Sequence, residues 1–145
     1  MKYTKRIIDV LMNEKLETFG GVLITGPKSC GKTTTAKQFA RSTVEFQDED
    51  RRDQLLSVAE TSPSLLLKGK KPILFDEWQD APKIWGAIRK AIDDNMEIGG
   101  YILTGSSSAK VETPHTGTGR ISRFEMLPMS LYESGESNGF VSLLD

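Results

Sequence analysis

The residues with the most distinctive chemistry lie in one glycine-rich segment, residues 26–33. Gly26 and Gly31 let the backbone curve closely enough for its N–H groups to face an anion. Lys32 and Thr33 follow directly, so that an ammonium can reach the β- and γ-phosphates of a nucleotide and a hydroxyl can complete the coordination of Mg²⁺. Residue types and spacing together predict a cradle for nucleotide phosphates.

The predicted nucleotide contacts cover the whole cradle and one residue beyond it. They are Gly26, Pro27, Lys28, Ser29, Cys30, Gly31, Lys32, Thr33 and Thr34. Cys30 is the single cysteine of the chain, so it cannot form an internal disulfide, which agrees with a cytoplasmic location. We expect its backbone amide to matter more than its thiol, for which ordinary packing is the better interpretation.

A second group of functional residues follows the apolar run at 73–75, where Asp76 and Glu77 stand side by side. A buried strand ending in acids would deliver them to the sheet edge where phosphate lies. Asp76 is the expected Mg²⁺ partner, together with Thr33. Glu77 is expected to project to the other side of the strand and to polarise a water for attack on the γ-phosphorus. Alternatively, Glu77 caps the next segment or pairs with a surface lysine.

Hydroxyl and arginine side chains later in the chain complete the candidate set. Ser106 follows the apolar run at 101–104 and is expected to orient the attacking water, with Thr104 as the alternative, although such clusters are also typical of ordinary turns. Arg120 is the candidate for sensing the γ-phosphate, in its own subunit or in a neighbour's, with Arg123 as the alternative. A solvated or salt-bridged arginine is the competing interpretation of both.

The elements that must position these residues alternate along the chain between short apolar runs and longer amphipathic stretches. Strands are expected at 21–25, 43–46, 73–77, 101–104 and 123–127, and helices at 3–17, at 33–41, around 55–59 and from Pro82 to the glycines at 99 and 100. This alternation indicates a layered α/β fold. Strand order does not follow from the pattern.

Composition narrows the class of protein further. With 145 residues, of which 37% are hydrophobic and 27% charged, the chain is expected to form one soluble domain. No apolar run approaches the roughly 20 residues that cross a bilayer, so no membrane partner is expected. A net charge of −1 gives no field that would attract nucleic acid. His115 is the only histidine and has no partners at ligand spacing, which argues against a zinc site.

Taken together, several segments resemble the AAA-like ATPase family of bacteria and archaea that is usually described only as ATP-binding protein. The segments that carry the resemblance are residues 26–33, 75–82, 103–107, 119–121 and 127–131. The resemblance covers about residues 20–133. It implies a three-layer P-loop NTPase core of α/β class, with a mainly parallel central sheet of about five strands.

The resemblance also assigns roles to individual residues. Lys32 and Thr33 match the Walker A pair, Asp76 and Glu77 the Walker B pair, Ser106 or Thr104 the sensor position, and Arg120 the glycine-arginine motif of the family. ATP and Mg²⁺ are the implied cofactors. Members normally continue into a helical lid and a C-terminal domain, so residues 1–145 are expected to be a single ATPase core, a fragment that lacks both.

Mg-dependent ATP binding and hydrolysis is therefore the expected function, weak in this chain alone because the adenine cover and a neighbour's arginine lie elsewhere. A homo-oligomer or a protein partner is expected for the same reason. One alternative is a nucleotide-dependent switch with little turnover, favoured by the long polar loop at 105–119. A small-molecule kinase is a weaker alternative, because the acid pair at 76 and 77 is typical of hydrolases.

Overall fold

The computed structural model of the chain describes residues 6–27, 31–106 and 120–126. Its helices are α1 (Arg6–Thr18), α2 (Lys32–Phe39), α3 (Arg52–Thr61) and α4 (Lys83–Asn95), its strands are β1 (Gly21–Gly26), β2 (Ser42–Glu45), β3 (Ile73–Asp76), β4 (Tyr101–Ser106) and β5 (Ile121–Glu125), and two 3₁₀ helices span Pro63–Leu67 and Trp78–Asp80. Within these residues, none of the helices combines the length and apolar composition that a bilayer crossing requires.

The five strands form one sheet in the order β2-β3-β4-β1-β5, and all four pairings are parallel. The expected α/β fold with a parallel sheet of about five strands is confirmed. Because the strands are parallel, their carboxyl ends all meet at one edge, which we call the carboxyl edge, and their beginnings meet at the opposite amino edge. The carboxyl edge is where loops carrying ligand-binding residues collect in such sheets.

Strand β1 lies in the interior of the sheet, between β4 and β5. Its apolar residues, Val22, Leu23 and Ile24, are each at most 1% exposed. A strand that is covered on both faces has a continuous run of apolar residues in its sequence. This explains why β1 shows no alternation of polar and apolar residues. The register pairs Gly26 with Ser106, so the phosphate cradle starts directly beside the end of β4.

Successive residues of the strands pack into two separate cores, one on each face of the sheet. The first core joins Leu23, Phe75 and Leu103 to buried residues of α3 and α4, namely Leu55, Ala59, Ile84, Trp85, Ile88 and Ile92. The second joins Val22, Ile24, Leu74 and Ile102 to Ile8 and Met12 of α1 and Ala36 of α2. Each buried aliphatic side chain contributes about 2 kcal/mol of hydrophobic free energy. The sheet is thus the middle of the three layers.

One predicted boundary is wrong in a way that matters for function. Strand β3 ends at Asp76, and Glu77 adopts the left-handed conformation (φ 58°) instead of extending the strand. The chain then enters the short 3₁₀ helix at Trp78–Asp80, with Trp78 only 4% exposed. Glu77 therefore does not project along the strand register; the turn that buries Trp78 sets its direction.

Helix α4 also ends differently from the prediction. It stops at Asn95, four residues before the first of the two glycines expected to close it, and Met96 takes the left-handed conformation (φ 54°). Strand β5 starts at Ile121, two residues earlier than expected, because it pairs in register with β1 from Gly21 onward.

Candidate functional site

The described part of the phosphate cradle joins the end of β1 to the start of α2. Gly31 has φ 91° and precedes the first helical residue, Lys32; only glycine adopts such a conformation without strain. The amide of Thr35 donates to the carbonyl of Gly31 (2.9 Å), so the helix is formed from its first turn. Its N-terminus thus presents positive potential at the carboxyl edge.

The other predicted cradle residues differ in how much of them can be described. Pro27 and Thr34 are exposed, at the end of β1 and in the first turn of α2. Lys28, Ser29 and Cys30 lie outside the described residues. Their predicted contacts with nucleotide therefore remain predictions.

Two hydroxyl side chains from different elements converge on one carboxylate oxygen of Asp76. Thr33 of α2 donates its hydroxyl proton to Asp76 Oδ1 (2.7 Å), and Thr104 of β4 donates to the same oxygen (2.6 Å). Hydroxyl and carboxylate oxygens are the hard ligands that Mg²⁺ prefers, and such a site takes its remaining ligands from phosphate and water. The donor set at Thr33 and Asp76 fits Mg²⁺.

A buried ion pair lies next to these oxygens. Lys32 Nζ is 3.6 Å from Glu77 Oε2, and the two side chains are only 4% and 9% exposed. The other carboxylate oxygen of Glu77 accepts a hydrogen bond from Gln79 Nε2 (2.7 Å). Buried charges of this kind are tolerated only when paired. Glu77 is therefore the anion that satisfies Lys32 in this structure, and a phosphate group would compete with it.

Both predicted sensor hydroxyls reach this edge of the sheet. Thr104, fully buried, accepts from the backbone N–H of Glu77 (3.0 Å) while donating to Asp76. It thus connects both members of the acid pair. Ser106, 8% exposed, ends β4 opposite Gly26. Thr104, named from the sequence only as the alternative, makes the direct contacts with the acids.

The arginines do not belong to this cluster. Arg120 precedes β5 at the amino edge, where its carbonyl accepts from the amide of Gly21 (3.1 Å) and its side chain pairs with Asp93 of α4. The length of β1 separates it from the cradle, about 17–20 Å at the rise of a strand. The geometry contradicts the version of the prediction in which Arg120 senses a phosphate of its own subunit. Arg123, exposed in β5 opposite Leu23, also lies outside the cluster.

Two residues of the cluster were missed by sequence reasoning, Gln79 and Gly105. A Cβ on Gly105 would lie 3.0 Å from Trp78 Nε1 and 3.2 Å from Gln79 Oε1, so the bare glycine makes room for both side chains. A glycine between the hydroxyl residues 104 and 106 is the signal that could have indicated a close approach. Gln79 gave no signal beyond its position two residues after Glu77.

The sequence pattern of a family described as "AAA domain" matches residues 19–135. A search of curated proteins finds no match. Among the solved structures that match is one titled "Structure of C. elegans PCH-2", with 13% sequence identity and a TM-score of 0.43, over 94% of this chain and 45% of that one. The chain thus spans less than half the length of that protein.

Proposed function

We propose that this chain, which belongs to the AAA domain family, binds ATP with Mg²⁺ at the carboxyl edge of its sheet and hydrolyses it. One observation carries the proposal: the hydroxyls of Thr33 and Thr104 share an oxygen of Asp76, beside the buried pair of Lys32 and Glu77. The cluster brings together a cation for phosphate, a ligand set for Mg²⁺ and a carboxylate able to accept a proton.

Each side chain of the cluster has a role in binding. Lys32 holds the β- and γ-phosphate oxygens, and the amides at the start of α2 add to that attraction. Thr33 would hold Mg²⁺ through its hydroxyl oxygen, and Asp76 would hold it through its carboxylate. The bound ion supplies neutralisation of the charge on the phosphates.

Glu77 is the proposed general base. Once Lys32 engages the phosphates, the Glu77 carboxylate loses its ion-pair partner and can take a proton from water. The water oxygen forms a bond to the γ-phosphorus as the bond from that phosphorus to the β,γ-bridging oxygen breaks. The products are ADP and inorganic phosphate, and the proton rests on Glu77. Thr104 holds the backbone of Glu77, and Ser106 or Thr104 orients the water.

Isothermal titration calorimetry tests the binding step. Wild-type protein should bind ATP more tightly with Mg²⁺ than without it. Lys32→Ala should weaken binding at least about 100-fold, because it removes the charge that the phosphates require. Lys37→Ala, in the same helix but exposed and paired with Glu45 (2.8 Å), is the matched control and should bind normally. An absence of Mg-dependent ATP binding by the wild type would remove the proposal.

The second candidate function is a nucleotide-dependent switch with little turnover. The ion pair between Lys32 and Glu77 favours it, because phosphate binding must separate these groups whether or not hydrolysis follows. An assay of phosphate release, run first without and then with an added acceptor, separates the functions. Sustained release supports the hydrolase, tight ATP binding with negligible release supports the switch, and transfer only to an added acceptor supports a kinase.

A further inference from the structure

We infer that Gln79 is a positioning residue for Glu77: its side-chain amide holds the Glu77 carboxylate in place when nucleotide phosphates take Lys32 away. The inference rests on the proposed function, in which Glu77 accepts the proton of the attacking water. Gln79 is neither one of the two acids, Asp76 and Glu77, nor a residue of the phosphate cradle.

Each oxygen of the Glu77 carboxylate has a partner of its own. Within the described part of the chain, its carboxylate contacts Lys32 through one oxygen (3.6 Å) and Gln79 through the other (2.7 Å). Phosphate oxygens carry more charge than a carboxylate and draw Lys32 toward themselves. Gln79 then remains as the hydrogen-bond partner of a carboxylate that is still buried. A buried carboxylate left without any hydrogen-bond partner would turn away from this position.

Glu77 and Gln79 lie in one tight turn, whose backbone is fixed by hydrogen bonds. Glu77 is left-handed (φ 58°), a strained conformation for a non-glycine residue, which persists only where its surroundings enforce it. The amide of Glu77 donates to Thr104 (3.0 Å), and the amide of Asp80 closes the turn on the Glu77 carbonyl (3.2 Å). This turn places the amide of Gln79 against the carboxylate two residues before it.

The surroundings of Gln79 restrict its side chain and its backbone. On one side, Gly105 leaves the space that the Gln79 amide and the Trp78 indole fill, since a Cβ there would approach within 3.2 Å and 3.0 Å of them. On the other, Asp80 is anchored by Arg52 (3.1 Å) and by Gln47 (3.0 Å), which tie the turn to the start of α3 and the loop before it. Packing beside Gly105 therefore confines the Gln79 side chain, and the anchored turn fixes its backbone, as a residue that orients another requires.

The main test is Gln79→Leu, which removes the donor while keeping a similar volume. We expect kcat for ATP hydrolysis to fall about tenfold or more, with the ATP dissociation constant changed less than about threefold. In the Glu77→Gln background the same substitution should have almost no further effect on residual turnover, because the residue that Gln79 positions is gone. Gln54→Leu, at an exposed position of α3, is the matched control and should match the wild type.

Gly105→Ala disturbs the contact between Gln79 and Glu77 from the side of β4. It replaces Gln79→Leu in the test if that variant folds poorly. Its new methyl group should displace the amide of Gln79 and lower kcat several-fold, again with ATP affinity retained. Gln79→Leu and Gly105→Ala both turning over at the wild-type rate would overturn the inference while leaving ATP hydrolysis intact. Equal losses in kcat and in affinity would also overturn it, because they indicate a general disturbance of the site.

A measurement that needs no turnover completes the test. The side-chain amide signal of Gln79 in a ¹⁵N–¹H NMR spectrum, identified by its loss in Gln79→Leu, should move in Glu77→Ala. It should remain protected from solvent exchange when Mg²⁺ and a non-hydrolysable ATP analogue are added to the wild type. A Gln79 signal that keeps its position in Glu77→Ala, or that loses protection from exchange when the analogue binds, would overturn the inference. Failure of the analogue to bind at all would instead remove the proposed function.

Discussion

Lys32 and Glu77 form the most consequential contact at the scale of single residues, because two opposite charges are buried together where a phosphate is expected. Their separation of 3.6 Å is long for a hydrogen bond, so the attraction is mainly that of charges in a medium of low polarity. Such a pair is maintained only while neither partner has a better one. The resting site is thereby prepared to exchange Glu77 for phosphate on Lys32.

Glu77→Gln should retain ATP binding and lose turnover. The neutral amide competes less with phosphate for Lys32, so ATP should bind at least as tightly as in the wild type. Turnover should fall about 100-fold or more, because the amide cannot accept the proton. Calorimetry and a phosphate-release assay measure the two effects. Glu60→Gln, exposed in α3 and paired with Lys83, is the control, and undiminished turnover in Glu77→Gln would exclude the base role.

Helix α4 allows a prediction at the scale of elements, because Gly86 lies in its interior. A Cβ at this position would meet no atom within 4 Å. Gly86→Ala should therefore stabilise the protein by about 0.5–1 kcal/mol, through the smaller entropy loss on forming the helix. Urea denaturation at constant pH gives the change in the free energy of unfolding. A destabilised Gly86→Ala protein would mean that this face of α4 is covered.

Gly99→Ala should have the opposite effect on stability from Gly86→Ala. Gly99 has φ 69°, and a Cβ there would lie 2.6 Å from the carbonyl oxygen of Leu16. Backbone atoms cannot move aside as a side chain can, so the loop between α4 and β4 would have to shift. We expect a loss of about 1–3 kcal/mol from this strain.

The elements show how far sequence reasoning reaches. Strands β1 and β4 were predicted because each is an apolar run bounded by glycine, and the order strand, loop, helix around Lys32 follows from the glycine spacing alone. The conformation of Glu77 could not be predicted, because it depends on Thr104, 27 residues away, and on the burial of Trp78. Local pattern predicts the type of an element, whereas the direction of a side chain at its end is a tertiary property.

The position of Arg120 shows the same limit for the sheet as a whole. Spacing indicates a strand after it but does not reveal that this strand joins the edge beside β1 and runs parallel to it. Only that topology places Arg120 at the amino edge. The topology also separates Arg120 from Asp76, although the sequence suggests that the two residues belong to one site.

The stability of the whole molecule should depend on a charged network at the amino edge. Lys71 pairs with Glu97 (2.6 Å), and the hydroxyl of the buried Tyr101 donates to the same carboxylate (2.9 Å). Burial alone would raise the pKa of Glu97, but the hydrogen bonds from Lys71 and Tyr101 outweigh it and lower that pKa. Burial, and then the hydrogen bond to Glu97, raise the pKa of Tyr101, which stays a proton donor at neutral pH.

A group whose pKa is lowered by folding stabilises the protein above its unfolded pKa and loses that contribution as pH falls through the folded value. Glu97→Gln should therefore cost about 0.5–1 kcal/mol at pH 7, a modest figure because the network is partly exposed. The difference from wild type should shrink below the ordinary glutamate value of 4.5. Urea denaturation between pH 7 and pH 3 measures it, with exposed Glu49→Gln as control. A difference that grew on acidification would contradict the assignment.

At the scale of the whole molecule, the amino edge presents Arg120 far from the cradle of its own chain. Met96 and Ile98, in the loop that follows α4 on the same edge, are 84% and 62% exposed, so a second copy at this edge would bury apolar surface. We propose that this edge faces the carboxyl edge of a second copy, where Arg120 reaches the γ-phosphate. Activity per chain should then rise with protein concentration.

Mixing two inactive variants tests this arrangement. Lys32→Ala keeps Arg120 but cannot hold ATP, whereas Arg120→Ala holds ATP but offers its neighbour no arginine, so a mixture should hydrolyse ATP faster than the sum of its parts. Asp93→Asn breaks the same ion pair while keeping the arginine, and it should stay active. A mixture no more active than its components, or Arg120→Ala turning over at the wild-type rate, would show that each chain works alone. Recovery in the mixture requires one copy's cradle and another copy's arginine to meet, which neither a shared buffer effect nor a change in folding can produce.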